Sequence, residues 1–240
     1  MAKKKFFLIA DTETTQTDKV ADIGLVVCDK QGNIHHEIGI LVGDFFSDRE
    51  NHPLFHIYGD KGDIFSKARL PARYQAYENM LQDGRRYLAS VGAVNRWLAR
   101  ANAKYQPVLT AYNLAFDRSK CANSGIDLDM FDQSFCLWHA AAEKWGHTKA
   151  YKNFVLQNHF FGNRTAKGHM GYQTKADCMA KFVLNNPGLI DEPHTALEDA
   201  RDYERPILAA LVKNTPVAQY MNPKAYSYRD FVVRDHFTAI

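Results

Sequence analysis

FFLIADTETT, residues 6–15, is the stretch on which the fold turns. Five apolar residues, Phe6 to Ala10, run straight into Asp11 and Glu13. A short apolar run of this kind reads as a buried strand. Side chains alternate along a strand, so Asp11 and Glu13 point the same way, ~7 Å apart, and Thr12 points the other way. Two carboxylates so placed repel each other unless something positive sits between them.

Downstream of this strand, ADIGLVVCD (21–29) and IHHEIGILV (34–42) are β-rich runs joined by KQGN, whose Gly32-Asn33 suits a tight hairpin turn. Three antiparallel strands in succession are expected. From Phe45 to about Leu81 the pattern is irregular and reads as an insertion with short helices, placed at about 44–85. RRYLASVGAVNRWLARANAKY (85–105) carries a helical apolar face at Leu88, Val91, Val94, Leu98 and Ala101, ending before Pro107. PVLTAYN (107–113) reads as a strand, and Asn113 as the N-cap of a helix over 114–125 that Gly125 can stop. SFCLWH (134–139) reads as another strand, followed by an Ala-rich helix. A basic and aromatic segment at 149–175, a helix at 176–186 and a last strong helix at 195–214 complete the chain. Strands and helices alternate after a three-stranded start, which predicts an α/β domain with a mixed sheet over 1–215 and a tail at 216–240 packing on it.

Acids recur where these elements begin or end. Asp11 and Glu13 close the first strand, Asp117 lies just inside a helix, and Asp199 lies at the start of the last helix. Thr195 and Glu198 form T-x-x-E, a capping box, which puts His194 just outside that helix. Inside a continuous helix His194 and Asp199 would diverge by roughly 140°; outside the cap the histidine can swing over the same cleft. Four carboxylates are too many like charges for one dry pocket unless divalent cations neutralise them, and hard oxygen ligands select Mg2+ or Mn2+. Two such ions ~3.5–4 Å apart serve in-line attack on a phosphodiester, and a neutral histidine can take the proton of the attacking water.

DTET (11–14), AYNLAFD (111–117) and HTALEDA (194–200) resemble, in this order, the three motifs of the DEDDh 3′-to-5′ exonucleases, the group that includes ribonuclease T, oligoribonuclease and bacterial proofreading subunits. The resemblance implies a ribonuclease H-like fold, a mixed sheet of three antiparallel strands and then parallel strands flanked by helices. It implies that Asp11, Glu13, Asp117 and Asp199 hold two metal ions and that His194 is the general base. It further implies that Thr14 and Thr15 hold the terminal nucleotide and that Asn113 and Phe116 position or pack near the second motif. The family often continues its first motif with Gly-Leu; here Gln16-Thr17 stand instead. Pro206 should kink or divide the last helix after Arg205.

The expected activity is removal of nucleotides from 3′ ends, with DNA favoured. An RNA- or oligonucleotide-trimming version and a catalytically silent nucleic-acid-binding relative are the alternatives. The tyrosine variant of this chemistry places Tyr four residues before the last Asp; Thr195 stands there. The 149–175 segment, mixing lysines with rings, is the candidate nucleic-acid surface. A net charge of +3 and a pI near 8.6 permit a polyanionic partner without demanding one. Cys136, His139 and His147 lack a second close pair for zinc, and His52 and His56 flank Pro53 in what reads as an exposed loop. Cys28, Cys121, Cys136 and Cys178 include no CxxC pair, so reduced thiols and a cytoplasmic setting are expected. MAKKK before FFLIA has the charge order of a secretory signal, but its apolar stretch stops at Asp11, and no run approaches the ~18 apolar residues of a membrane span.

Overall fold

The computed structural model describes residues 4–60, 62–164 and 168–233. β1 (Phe6–Thr14) pairs antiparallel with β2 (Val20–Asp29), and β2 with β3 (Ile34–Val42). The turn between β2 and β3 is pinned by the Asp29 carboxylate, which accepts from the backbone of Gln31 and Asn33 at 3.0 and 3.1 Å. There follow α1 (Gly43–Phe46), α2 (Leu70–Gln82), β4 (Tyr87–Ala89), α3 (Val91–Tyr105), β5 (Val108–Ala111), α4 (Leu114–Asn123), β6 (Ser134–Cys136), α5 (Leu137–Ala141) and α6 (Lys149–Gln157). A two-stranded hairpin, β7 (Phe161–Arg164) and β8 (Met170–Tyr172), leads to α7 (Ala176–Val183), α8 (Ala196–Glu198) and α9 (Arg205–Val212). The six-stranded sheet runs β4-β3-β2-β1-β5-β6, with β4, β5 and β6 joining in parallel. This mixed sheet flanked by helices has the ribonuclease H-like α/β arrangement.

Alternation along β1 divides the core in two. Phe7 and Ile9 face a layer built by α5, α6, α7 and α9, while Leu8 and Ala10 face α3 and α4. Both faces are covered, which is why the strand reads as unbroken apolar sequence.

Several expectations need correction. The helical face read at 85–105 starts too early: Tyr87–Ala89 is a strand, Leu88 is exposed, and Ser90 caps α3 by accepting from Ala93 N–H at 3.3 Å. A β-edge pairing with β3 outcompetes the helical periodicity there. The irregular segment at 45–81 contains a full helix, α2, entered through Pro71. The strand read over SFCLWH ends at Cys136, because Leu137 already begins α5. The basic and aromatic segment at 149–175, whose conformation the pattern leaves open, contains a helix and a hairpin. His56 is buried rather than exposed.

The described part of the tail, up to residue 233, lies against the domain. Phe231 is fully buried, stacks on His147 with centroids 5.0 Å apart, and fills the space that a side chain on Gly146 would need. Residues 234–240 lie outside the described residues. No helix among the described residues is long and apolar enough to cross a membrane.

Candidate active site

The carboxyl ends of β1 and β5 lie side by side, and loops leaving parallel strands at such a point form crevices. Asp11 and Glu13 share the face of β1 that carries Phe7 and Ile9, toward the helical stretch Ala196–Val212. Thr12 points to the opposite face, where α4 packs, and donates to Asp117 Oδ1 at 2.8 Å. Asp117 is thereby held from across the strand, beside rather than behind Asp11. Asn113 occupies the N-cap position of α4, but its side chain makes no capping bond.

The approach of the last helix is set by two glycines. A Cβ on Gly24, which pairs with Asp11 across the β1–β2 ladder, would come within 2.2 Å of Ala196 O. A Cβ on Gly39 would lie 2.7 Å from Arg86. Without those side chains, α8 starts directly on the sheet, above the buried Arg86. The Arg86 guanidinium donates to Asp22 at 2.8 and 3.1 Å and to Glu198 at 2.6 and 3.3 Å. The expected capping box between Thr195 and Glu198 therefore does not form. Thr195 is the N-cap residue but its side chain makes no capping bond, and Glu198 is taken by Arg86. Asp199, one residue on, accepts from Thr195 N–H at 3.1 Å, and Asp22 accepts from Ala196 N–H at 3.0 Å.

His194 sits just before this start in a left-handed conformation, φ +54°, which costs a non-glycine residue about 1–2 kcal/mol. Its ring lies 4.8 Å from that of Phe65, and Arg73 lies over the same Phe65 ring at 4.9 Å. Both neighbours come from the insertion, whose contribution the sequence left open. The insertion is tied to the first motif through Gln16, whose amide donates to His56 O, and through Thr17, whose hydroxyl lies 2.5 Å from His52 Nδ1. The departure at Gln16-Thr17 thus docks the insertion. Thr15 is buried, and its hydroxyl is engaged by Thr17 at 3.0 Å and Lys19 N–H at 3.1 Å. Thr14 is also buried, whereas Asn113 and Phe116 are exposed at the start of α4.

Glu13, His194 and Asp199 bring one ligand atom each within 4.8 Å of one another. Among the described residues the Cys136, His139 and His147 set forms no such group. Asp117 is 3% exposed, Asp199 5%, and a fifth acid, Glu204, 2%. Glu204 joins them because the helix widens into a π-turn over Asp199–Glu204 before α9 resumes at Arg205. Pro206 has no N–H to donate to the preceding turn, and the wider turn brings residues five apart to one side. The division falls one residue before the position that Pro206 suggested.

Burial raises every acid in the cluster, and repulsion from neighbouring acids adds to it at Asp11, Glu13, Asp199 and Glu204. Asp11 is held well above its ordinary value, with Glu204, Asp117, Asp199 and Glu13 as charged neighbours. Glu13 is pushed up to about 8 against the pull of Arg73, whose Nη2 is 4.0 Å away. Burial lifts Asp117 to about 7 and Asp199 to about 9, and Glu204 is also well above the carboxylate range. Burial, with Lys175 and Arg73 nearby, lowers His194. Asp199 Oδ1 and Glu204 Oε2 are buried without any hydrogen-bond partner. Orphaned carboxylate oxygens in a crowded acidic pocket are the donor set that a hard divalent cation fits.

Neither the protein-family models nor the curated proteins searched contain a match to this chain. The assignment of function therefore rests on the three motifs and on what they build.

Proposed function

We propose that this chain is a divalent-metal-dependent exonuclease that releases nucleotides from 3′ ends, with DNA as the favoured substrate. The carrying observation is the cluster itself: Glu13, His194 and Asp199 with ligand atoms within 4.8 Å, beside half-buried Asp11 and buried Asp117, with buried Asp199 Oδ1 and Glu204 Oε2 unpartnered. Asp11, Glu13, Asp117 and Asp199 would hold two Mg2+ or Mn2+ ions, which supply charge neutralisation and an activated water.

The chain's own residues do the rest. His194, held neutral at pH 7 by burial, accepts the proton of the attacking water while the P–O3′ bond breaks. Phe65 covers one side of the imidazole and limits its motion. Arg73, beside Glu13, offers a guanidinium to a phosphate oxygen. Phe116, exposed on α4, offers a ring to the terminal base.

A linear single strand labelled at its 5′ end should shorten as a ladder in magnesium and stay intact in chelator. A circular strand should persist, and a 3′-phosphate should slow the first cut. Equal loss of circle and line would replace the exonuclease reading with an endonuclease one. His194→Ala should lose roughly 10²–10⁴-fold in rate. In the parent protein the rate should decline only on the acid side of about pH 6.5, and that limb should vanish in the variant. Full activity of His194→Ala would leave the imidazole with no part in proton transfer.

A further inference from the structure

A groove of about 1170 Å³ lies between the β7–β8 hairpin and the turn Tyr228–Asp230. Arg164, Lys175 and Arg229 line it, and no acidic residue does among those described. Among the described residues these three cations make no ion pair with a carboxylate. Tyr228 forms part of the wall: its ring stacks on Trp138 at 4.4 Å and 25°, yet the residue is 58% exposed. Trp138 is itself buried and donates from Nε1 to Thr174 Oγ1 at 3.0 Å. The platform under Tyr228 is therefore fixed rather than hinged.

The floor of the groove is tied to the second motif. Tyr112, next to Asn113, donates its hydroxyl to Thr174 O at 2.6 Å, joining the groove floor to the second motif. Lys175 acts electrostatically on His194, and Tyr228 faces the field of Glu192, a residue in the loop before His194.

We propose that this groove binds single-stranded nucleic acid on the 5′ side of the scissile nucleotide, with one unpaired base stacked on Tyr228 and phosphates on Arg164, Lys175 and Arg229. A purely basic wall would take any polyanion. An open ring on a rigid base selects unpaired bases, because those of a duplex are already stacked on each other. The inference relies on the nuclease reading only for where the 3′ end lies.

Anisotropy of a labelled 12-nucleotide single strand, and of a blunt duplex of equal length, tests it in magnesium with full-length Asp199→Asn protein. Adding Tyr228→Ala should weaken the single strand roughly 5–100-fold and the duplex far less. Adding Lys175→Gln with Arg229→Gln should weaken it too and flatten the log–log salt slope by about 0.7 per lost phosphate contact. Arg100→Gln, on the exposed side of α3, controls for net charge. Should Tyr228→Ala not fold, the charge pair and its salt slope decide alone. Single-strand affinity within about 2-fold of the parent in both variants, or equal loss for duplex and single strand, overturns the groove. Hydrolysis is read separately on the wild-type chain. Weakened binding in the variants with no hydrolysis by wild type would keep the groove and sink the nuclease reading; the reverse result would do the opposite.

Discussion

Two sets of buried and half-buried acids lie side by side under the start of the last helix, and they are built on opposite principles. Asp22 and Glu198 clasp Arg86, and every oxygen of the pair reaches a guanidinium N–H. Among the described residues, the one cation paired with Asp11, Glu13, Asp117 or Asp199 is Arg73, 4.0 Å from Glu13. The border is one residue wide: Glu13 pairs with Asp22 across the β1–β2 ladder, and Glu198 precedes Asp199. Burial opposes the charge on Glu198, but Arg86 holds it below the ordinary carboxylate range, whereas burial pushes Asp199 up to about 9. The first set is complete within the protein and fixes where the helix starts. The second leaves charge to be balanced by something the chain does not supply.

The largest effect should come from depriving the incomplete set of a ligand. Asp199→Asn should cut turnover by about 10³-fold or more, since a preorganised charge is lost where the transition state forms. In chelator the same variant should melt no lower than the parent, because the amide removes the cost of protonating a buried carboxyl that is ionised when unfolded. Near-normal turnover would mean that the cleft lies elsewhere. The complete set should respond the other way round. Arg86→Met strands Asp22 and Glu198 in the interior, at a cost of about 3–5 kcal/mol, or roughly 6–20 °C in melting temperature. A melting temperature within about 2 °C of the parent would show that Arg86 does not hold the helix in place.

The contrast also shows which parts of the molecule a sequence can disclose. The meander was legible because β1 to β3 are apolar runs with a turn signal between them, and the acids because each closes or opens an element. Glu204 was not, since residues five apart on an α-helix diverge by roughly 140° and only the π-turn around Asp199–Glu204 reunites them. Arg86 stands in a stretch whose periodicity predicts a helix, but the helix starts at Val91. Its partners lie 64 and 112 positions away, a pairing that no local pattern encodes. Phe65 and Arg73 reach His194 and Glu13 from an insertion whose sequence has no clear period. The capping box failed for a related reason: the motif T-x-x-E was present, but a distant arginine had a stronger claim on the glutamate.

A smaller effect separates the two sets without any mutation. In the metal-free protein Glu13, Asp117 and Asp199 are raised to about 8, 7 and 9, above the values near 4 that they have unfolded. The folded state then holds protons that the unfolded state has released, so this contribution is whole below about pH 4 and is lost as pH climbs through 7 to 9. His194, His139 and His147 are lowered, and they favour the folded state as pH rises toward 6.5, which masks the trend on the acid side. Above about pH 8.5 the buried thiols of Cys28 and Cys178, each raised to about 12, add a loss of their own. The window is therefore pH 6.5–8.5, where these carboxylic acids, joined by Glu192 that burial raises to about 7, should lower stability in chelator by several kcal/mol as pH rises. Magnesium should flatten that slope by binding the deprotonated acids, and Asp199→Asn should halve it or better. Glu198, which Arg86 holds below the ordinary carboxylate range, should contribute nothing to it. A slope that is the same with and without magnesium would mean that the raised carboxylates are not the groups a cation binds.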